Sequence, residues 1–228
     1  MSPTSVHPVW RIYSERAVSP RDNPESAAVE PQRSPEGRSP GELRPDLGEV
    51  RAAIRTLIAR AGDDPGRLPG TPDAVIDALA ARFAGYGLDA EALLRAARQP
   101  LASESTLVVV RDIKLGSHCD HHIAPITGTV HVAYVPDAFI APAGDIAHAV
   151  DAVALRLQSQ ETMTMQIARA LERALEPRGV GVVIAAQHWC MTTRGVRQVM
   201  AATVTSRMTG ECREPELRRD LLALARRR

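Results

Sequence analysis

The order of strand-like and helical segments in the second half of the chain is the feature that most limits its possible folds. From residue 106 onward, two apolar, β-branched runs are followed by two stretches of helical periodicity and then by two more strand-like runs. In chain order these segments are residues 106–115, 127–135, 146–157, 162–175, 180–190 and 197–208. A charged helix is expected after them, from Pro215 to Arg226. Strand pairs on either side of a helix pair predict an α+β fold, with one antiparallel four-stranded sheet that carries both helices on one face.

Two segments precede this region. Residues 1–45 are rich in Pro, Ser, Arg and Glu and hold too few apolar side chains to offset the entropy cost of ordering, so the sequence predicts a disordered tail. Residues 46–100 combine helical periodicity with short breakers, which predicts an N-terminal helical segment. Thr71 is expected to cap one of these helices, with Pro72 at its first position. Residues 101–228 then form the α+β domain.

The composition argues against several classes of protein. A net charge of +1 gives no bulk attraction to nucleic acid or to a membrane surface. The chain has no apolar run of about 18 residues and no apolar signal-peptide core, so we expect a cytoplasmic protein without a membrane span. Aromatic residues make up only 3% of the chain, so its core is thin, and another subunit is the expected cover for the second face of the sheet.

Cysteine is scarce, yet two of the three cysteines lie among histidines. Cys119 lies in the hexapeptide Ser-His-Cys-Asp-His-His at 117–122, and Cys190 follows His188 by two residues. Thiolate and imidazole ligands suit zinc, and the set Cys119, His122 and Cys190 would leave one coordination position for water. Three widely spaced cysteines do not form a disulfide framework.

His121 and His188 then remain beside the ion as proton donors or acceptors, because the pKa of histidine lies close to neutral pH. His188 and Cys190 are two residues apart on one predicted strand, so their side chains are expected on the same face of the sheet. The residues alone leave open a closed structural zinc site, or buried cysteines beside hydrogen-bonded histidines. Asp120 is either a carboxylate that orients a ligand or an exposed turn residue. Cys212 is expected to take no part.

Several motifs, in the same order along the chain, resemble the GTP cyclohydrolase I family. They are Val110-Arg111-Asp112-Ile113 before the Cys119 cluster, Gln158-Ser159-Gln160-Glu161 before a helix, His188-x-Cys190-Met191 with Arg194-Gly195-Val196, and Thr203-Val204-Thr205-Ser206. The resemblance covers about residues 68–225.

The resemblance implies a tunnelling fold, in which antiparallel sheets from several subunits join into an oligomeric barrel and a ring-shaped homodecamer with active sites at subunit interfaces. It implies zinc held by Cys119, His122 and Cys190, and a zinc-activated water that attacks C8 of a guanine imidazole ring. His121 and His188 would then move protons.

The resemblance also implies a set of substrate-binding residues. Glu161, with Gln160, would bind the guanine edge, since a carboxylate can accept hydrogen bonds from both N1–H and the exocyclic amine. Arg194 would be the retained member of a basic clamp for the triphosphate.

The chain departs from the family pattern at the rest of that clamp. The family's T-P-x-R motif ends here in Ala74, and its S-K-x-x-R motif is replaced by Gly144, Asp145 and His148. Each lost charge-assisted contact is worth about 1.5–3 kcal/mol. We therefore expect a divergent cyclohydrolase for a guanine nucleotide, nucleoside or base with fewer phosphates than GTP, in a specialised biosynthetic pathway. Without the serine that the family links to ring closure, the reaction would end at imidazole opening.

Four alternatives stand beside this expectation. In the first, a shifted alignment places other arginines in the clamp, such as Arg111, Arg156 or Arg197. The second is an ordinary GTP cyclohydrolase I that makes 7,8-dihydroneopterin triphosphate. The third is a non-catalytic zinc-binding scaffold. The fourth is the nitrile-reducing relative that shares the fold, although its chemistry needs a nucleophilic cysteine without zinc.

Overall fold

A five-stranded sheet lies at the centre of the molecule. The computed structural model describes residues 45–102 and 107–224. The strands are β1 (Gln99–Pro100), β2 (Val108–Cys119), β3 (Pro125–Val135), β4 (Phe139–Ile140), β5 (Leu157–Gln158), β6 (Gly179–His188) and β7 (Thr203–Met208). The helices are α1 (Leu47–Ala61), α2 (Thr71–Arg82), α3 (Ala90–Ala97), α4 (Ala143–Ala154), α5 (Gln160–Leu175), α6 (Trp189–Thr192) and α7 (Pro215–Leu224).

The topology of the main sheet confirms the predicted α+β fold. Its strand order is β5-β2-β3-β6-β7, and β2, β3, β6 and β7 form the predicted antiparallel four-stranded sheet. The fifth strand was not predicted. It is the two-residue β5, which pairs in parallel with the end of β2. A separate two-stranded sheet joins β1 to β4.

The main core lies between one face of this sheet and helices α3, α4 and α5. Alternate residues of β6 face these helices, because successive side chains of a strand point to opposite faces. The buried side chains include Val180, Val182, Ile184 and Ala186 of β6, and Ile146, Val150, Met163, Ile167 and Leu171 of α4 and α5. Both predicted helices therefore cover the same face, as expected.

Part of the second face is covered by the chain itself. Ala133 and Val135 of β3 pack against Cys212 and against Leu221 of α7 in a smaller buried cluster. The expectation that another subunit covers this face is therefore wrong for this part of the sheet. The C-terminal helix is amphipathic enough to cover it.

A β-bulge interrupts the β2–β3 pairing between Val110 and Ile113. Asp112 has a positive φ of 60° at the bulge. Its backbone N–H donates to Nδ1 of His131, a buried histidine on β3, at 3.2 Å. This hydrogen bond satisfies a backbone donor that the bulge removes from the strand ladder.

Several predicted boundaries change in the N-terminal helical segment. Gly70, and not Thr71, is the N-cap of α2, so Pro72 lies at the second position of the helix and not, as predicted, at the first. Asp89 caps α3 through its side chain. The predicted tail lies outside the described residues except for residue 45, as do the predicted strand start at Thr106 and the predicted helix end at Arg226. Within the described ranges, no helix has the length and apolar character that a membrane span requires.

Candidate metal centre and adjoining pocket

A tight loop after β2 brings His122 back to Cys119. The Cys119 N–H donates to the Ala124 carbonyl at 2.9 Å, and the Ile123 N–H donates to the Cys119 carbonyl at 2.9 Å. Ile123 has a positive φ of 53°, which is uncommon for a β-branched residue and lets the chain reverse. The loop places Nδ1 of His122 3.7 Å from Sγ of Cys119.

Cys190 reaches the same place from a helical turn. The prediction that Cys190 lies on a strand is wrong, because β6 ends at His188 and Trp189–Thr192 form α6. His188 lies opposite Ile126, and β3 begins at Pro125, which has no backbone N–H to donate. Residues after His188 therefore have no strand residue to pair with, and β6 ends. The Trp189 indole N–H also donates to Oγ1 of Thr127 at 3.2 Å, which holds the start of the turn against β3.

The donor atoms of Cys119, His122 and Cys190 all lie within 4.8 Å of one another. Sulfur and nitrogen ligands in a tetrahedral zinc site are about 3.6 Å apart, so the 3.7 Å between Cys119 and His122 fits zinc without rearrangement. Two thiol sulfurs and one imidazole nitrogen also form a chemically suitable donor set. These three side chains could therefore hold a divalent ion and leave one coordination position open.

The protonation of Cys190 also indicates a site that favours a cation. Burial raises the pKa of the Cys190 thiol, and the neighbouring Cys119 raises it further, since two adjacent thiolates repel. A divalent ion between the two sulfurs would remove this repulsion. By contrast, Cys212 is buried in the second cluster with its pKa raised to about 11, and it remains outside the site as expected.

Gln160 fixes the imidazole of His188 beside these donors. The side-chain N–H groups of Gln160, which is fully buried, point to the carbonyls of Ile184 (3.2 Å) and Thr203 (3.1 Å) and to Oγ1 of Thr205 (3.0 Å). Its Oε1 lies 2.9 Å from Nε2 of His188. Because the amide donors are already used, Oε1 must accept, and His188 must carry its proton on Nε2.

In the neutral form of His188, Nδ1 is therefore free to accept a proton. Burial lowers the pKa of His188, and the nearby carboxylate of Glu161 opposes the change. The role of Gln160 as the residue that positions His188 was missed from the sequence, where Gln160 was assigned only to substrate. The contact joins residues 28 positions apart, and no local pattern predicts it.

An open pocket of about 270 Å³ adjoins this arrangement. Its lining comes from the start of α5 and from β7, and consists of Glu161, Thr164, Met165, Thr205, Ser206 and Arg207. The predicted substrate residue Glu161 lies in this pocket, whereas Gln160 lies behind it. The Thr203–Ser206 motif was noted in the sequence without a role, and the structure makes it one wall of the pocket.

Two other predicted site residues are exposed in loops. His121 follows Cys119 in the turn, with its ring centroid 6.2 Å from that of His122. Arg194 lies in the exposed segment after α6. Their assigned roles, as those of the other site residues, stay predictions.

Two of the arginines considered as substitutes for the clamp have partners in the fold. Arg156 donates to the carbonyls of Gly85 (3.0 Å) and Leu88 (2.8 Å), and it ties α4 to the N-terminal helical segment. Arg111 pairs with its neighbour Asp112 at 3.2 Å.

Comparisons with known proteins show which family the chain is similar to. The family model of GTP cyclohydrolase I matches residues 50–226. The GTP cyclohydrolase 1 of Maricaulis maris (strain MCS10) is 45% identical over 172 residues, which cover 75% of this chain and 84% of that protein. The corresponding protein of Allorhizobium ampelinum is 43% identical over 175 residues, covering 76% and 87%.

Among solved structures, archaeosine synthase QueF-Like in the apo form matches with a TM-score of 0.38 and 13% identity, covering 47% of this chain and 97% of that one. The sheet, its two helices and the cysteine–histidine centre define an α+β protein with a candidate metal site. The chain belongs to the GTP cyclohydrolase I family.

Proposed function

We propose that this protein is a zinc-dependent hydrolase that opens the imidazole ring of a guanine nucleotide, and that GTP is its substrate. The name of its relatives, GTP cyclohydrolase 1, supports this substrate. It also favours the ordinary activity, which yields 7,8-dihydroneopterin triphosphate, over the specialised substrate expected from the sequence.

The observation that carries the proposal is the convergence of the Cys119, His122 and Cys190 donors, the last of which follows His188 by two residues. A closed structural site would need a fourth protein ligand. Among the described residues, the group formed by Cys119, His122 and Cys190 has three members, and the exposed Asp120 and His121 form a separate group with Cys119. When bound there, zinc supplies a Lewis acid that lowers the pKa of water near to neutral.

The protein's own groups then bind the substrate and move protons. Nδ1 of His188 accepts a proton, because Gln160 holds the other ring nitrogen in its protonated form. His121 is the second proton-transfer group. Glu161 accepts hydrogen bonds from the guanine edge in the adjoining pocket. Arg194 contacts the phosphates.

We also propose that the active protein is a homo-oligomer, with a decamer as the expected size. Apolar side chains of the segment that follows the metal ligands are exposed in the single chain, with Val196 at 64%, Val199 at 65% and Met200 at 78%. Strand β7 is an open edge of the sheet. Both features favour contacts with further copies, close to the site. A cytoplasmic location remains part of the proposal.

A second candidate substrate is a guanine compound with fewer phosphates. The observation in its favour is α4, which carries Gly144, Asp145 and His148 at the positions of the family's basic clamp. Asp145 places a negative charge where the family has a positive one. Such a protein would serve a specialised pathway, and its reaction could end at ring opening.

One substrate series tests both candidates. Zinc-loaded protein is incubated with GTP, GMP, guanosine and guanine, while formate release and pterin fluorescence are followed. We expect formate and a fluorescent pterin from GTP. Formate from GMP or guanosine at a higher kcat/KM than from GTP would establish the second candidate, and no formate from any of the four would contradict the proposed function.

A His121→Ala variant separates an enzyme from a zinc-binding scaffold. The variant is expected to keep its zinc and its assembly and to lose formate release by about a hundredfold or more, as for a general acid–base residue. Arg218→Ala, an exposed change on α7, serves as the control. Equal turnover in the His121 variant and the wild type would contradict the proton-transfer role.

A further inference from the structure

The pocket beside His188 carries two opposite charges that do not pair with each other. Glu161 and Arg207 both line it, from α5 and β7 respectively. Within residues 45–102 and 107–224, neither side chain forms an ion pair or a side-chain hydrogen bond. A carboxylate and a guanidinium that share a pocket without pairing remain available to a ligand.

The two threonine hydroxyls that line the pocket between these charges are already hydrogen-bonded. Oγ1 of Thr164 donates to the Gln160 carbonyl at 2.7 Å, and it lies 2.7 Å from Oγ1 of Thr205. Oγ1 of Thr205 also accepts a hydrogen bond from the side-chain N–H of Gln160. The threonine floor of the pocket is therefore internally hydrogen-bonded, and the polar side chains left to contact a ligand are Glu161, Ser206 and Arg207.

The two charged residues differ in their position relative to His188. Glu161 directly follows Gln160, whose Oε1 lies 2.9 Å from Nε2 of His188, so Glu161 marks the end of the pocket near the chemistry. In the register of β6 and β7, Arg207 lies opposite Val182. Thr205, which contacts Gln160, lies opposite Ile184. Arg207 thus lies two residues further along β7, about 7 Å beyond Thr205 and away from His188.

We propose that Arg207 binds the phosphate tail of the substrate and sets the preference for phosphorylated guanine compounds. The inference rests on the proposed function and adds a residue to its site. With the base at Glu161 and the sugar directed along β7, the 5′-phosphate would lie on the Arg207 side of the pocket. The guanidinium supplies a planar, bidentate donor that suits a phosphate group.

Arg207 also supplies a positive charge that the α4 positions lack. None of the arginines considered from the sequence was this one, because β7 contains no pattern that singles it out. Only the packing of β7 against the start of α5 places its guanidinium in the same pocket as Glu161.

Binding of inorganic tripolyphosphate tests the proposal without turnover. Zinc-loaded, full-length protein is titrated by calorimetry with tripolyphosphate and, separately, with guanosine. The variants are Arg207→Gln, Arg207→Lys and the control Arg218→Gln on α7. We expect Arg207→Gln to weaken tripolyphosphate binding about tenfold or more while guanosine binding stays within about threefold, and Arg207→Lys to recover part of the loss.

The outcomes separate this proposal from the proposed function. Unchanged tripolyphosphate binding in Arg207→Gln, or an equal loss in Arg218→Gln, overturns the role of Arg207. An equal loss of guanosine binding in Arg207→Gln also overturns it, since the residue would then support the pocket as a whole. If Arg207 binds tripolyphosphate but no guanine compound is hydrolysed, the anion site stands and the proposed function fails.

Discussion

Gln160 links two carbonyl groups, a threonine hydroxyl and one imidazole through a single buried amide. Its N–H groups bond to Ile184, Thr203 and Thr205, so its oxygen faces His188. The buried amide thereby selects the tautomer of His188. A single atom exchange in this side chain changes the protonation of the site.

A Gln160→Glu variant is expected to shift the pH dependence of turnover. A carboxylate beside His188 raises the pKa of the imidazole, which in the wild type is lowered by burial. Since His188 must be neutral to accept a proton, the acidic limb of the kcat–pH profile should move to higher pH by about one unit or more. The loss of two buried N–H donors should also lower the thermal stability.

The matched control is Gln187→Glu. Gln187 directly precedes His188 on β6, so its side chain points to the opposite face of the strand. The acidic limb of its kcat–pH profile should lie at the same pH as in the wild type. If the acidic limb of the Gln160→Glu profile also lies at the wild-type pH, His188 is not the proton acceptor.

At the scale of the element, the bulge in β2 depends on a histidine that must remain neutral. Nδ1 of His131 accepts the Asp112 N–H, and burial lowers the pKa of His131 from its ordinary 6.5, although Asp112 opposes the change. Burial also lowers the pKa of His118 and His188. The unfolded chain therefore binds protons more readily than the folded one in mildly acidic solution.

The free energy of unfolding is accordingly expected to fall as the pH drops below about 6.5, through the window down to the lowered pKa values. Above that pH these histidines are neutral in both states and contribute no pH dependence. Urea unfolding at several pH values measures the slope. A His131→Asn variant keeps an acceptor for Asp112 but cannot be protonated, so its slope should be smaller; the same slope in both proteins would contradict this account.

Helix α4 supports a prediction about substrate preference. Gly144 has open space where a Cβ would be, so a serine fits there. The triple variant Gly144→Ser, Asp145→Lys and His148→Arg adds cationic contacts worth about 1.5–3 kcal/mol each if they reach a phosphate. The ratio of kcat/KM for GTP to that for guanosine should rise by about tenfold or more.

Asp151→Lys, on the same helix, is the control for this variant because, like the Asp145→Lys change, it replaces a carboxylate with an ammonium group at an exposed position. An equal gain from Asp151→Lys would mean that only the overall charge matters. No gain from the triple variant would mean that α4 does not face the substrate's phosphates.

The sequence predicts the elements better than it predicts their ends and contacts. The order of strands and helices follows from local periodicity, and the Cys119–His122 pair from spacing in a turn. The end of β6 at His188 depends on where β3 begins, at Pro125, and that is a property of the partner strand. Two contacts depend on how α5 packs on the sheet, which no local pattern encodes. They are the hydrogen bond between Gln160 and His188 and the shared pocket of Glu161 and Arg207.

At the scale of the whole molecule, the exposed apolar segment after α6 predicts assembly. Burying an exposed valine or methionine between copies is worth about 1.5–3 kcal/mol per side chain, and a buried charge there is costly. A Val199→Glu, Met200→Glu variant should therefore sediment as a smaller species than the wild type and lose most of its formate release, because the sites are proposed to lie at subunit interfaces.

Glu216→Lys on α7 is the control for this variant and should sediment as the wild type does. Full activity in a dissociated Val199→Glu, Met200→Glu variant would contradict the placement of the sites at interfaces.

The coordination of the proposed zinc ion links these scales, because the proposed hydrolysis needs one coordination position that is open to water. X-ray absorption spectroscopy at the zinc edge of the loaded, full-length protein measures it directly. The account predicts two sulfur ligands at about 2.3 Å, one imidazole nitrogen at about 2.0–2.1 Å and one further light atom from water. Fewer than two sulfurs, or a second imidazole in place of the water, would contradict it.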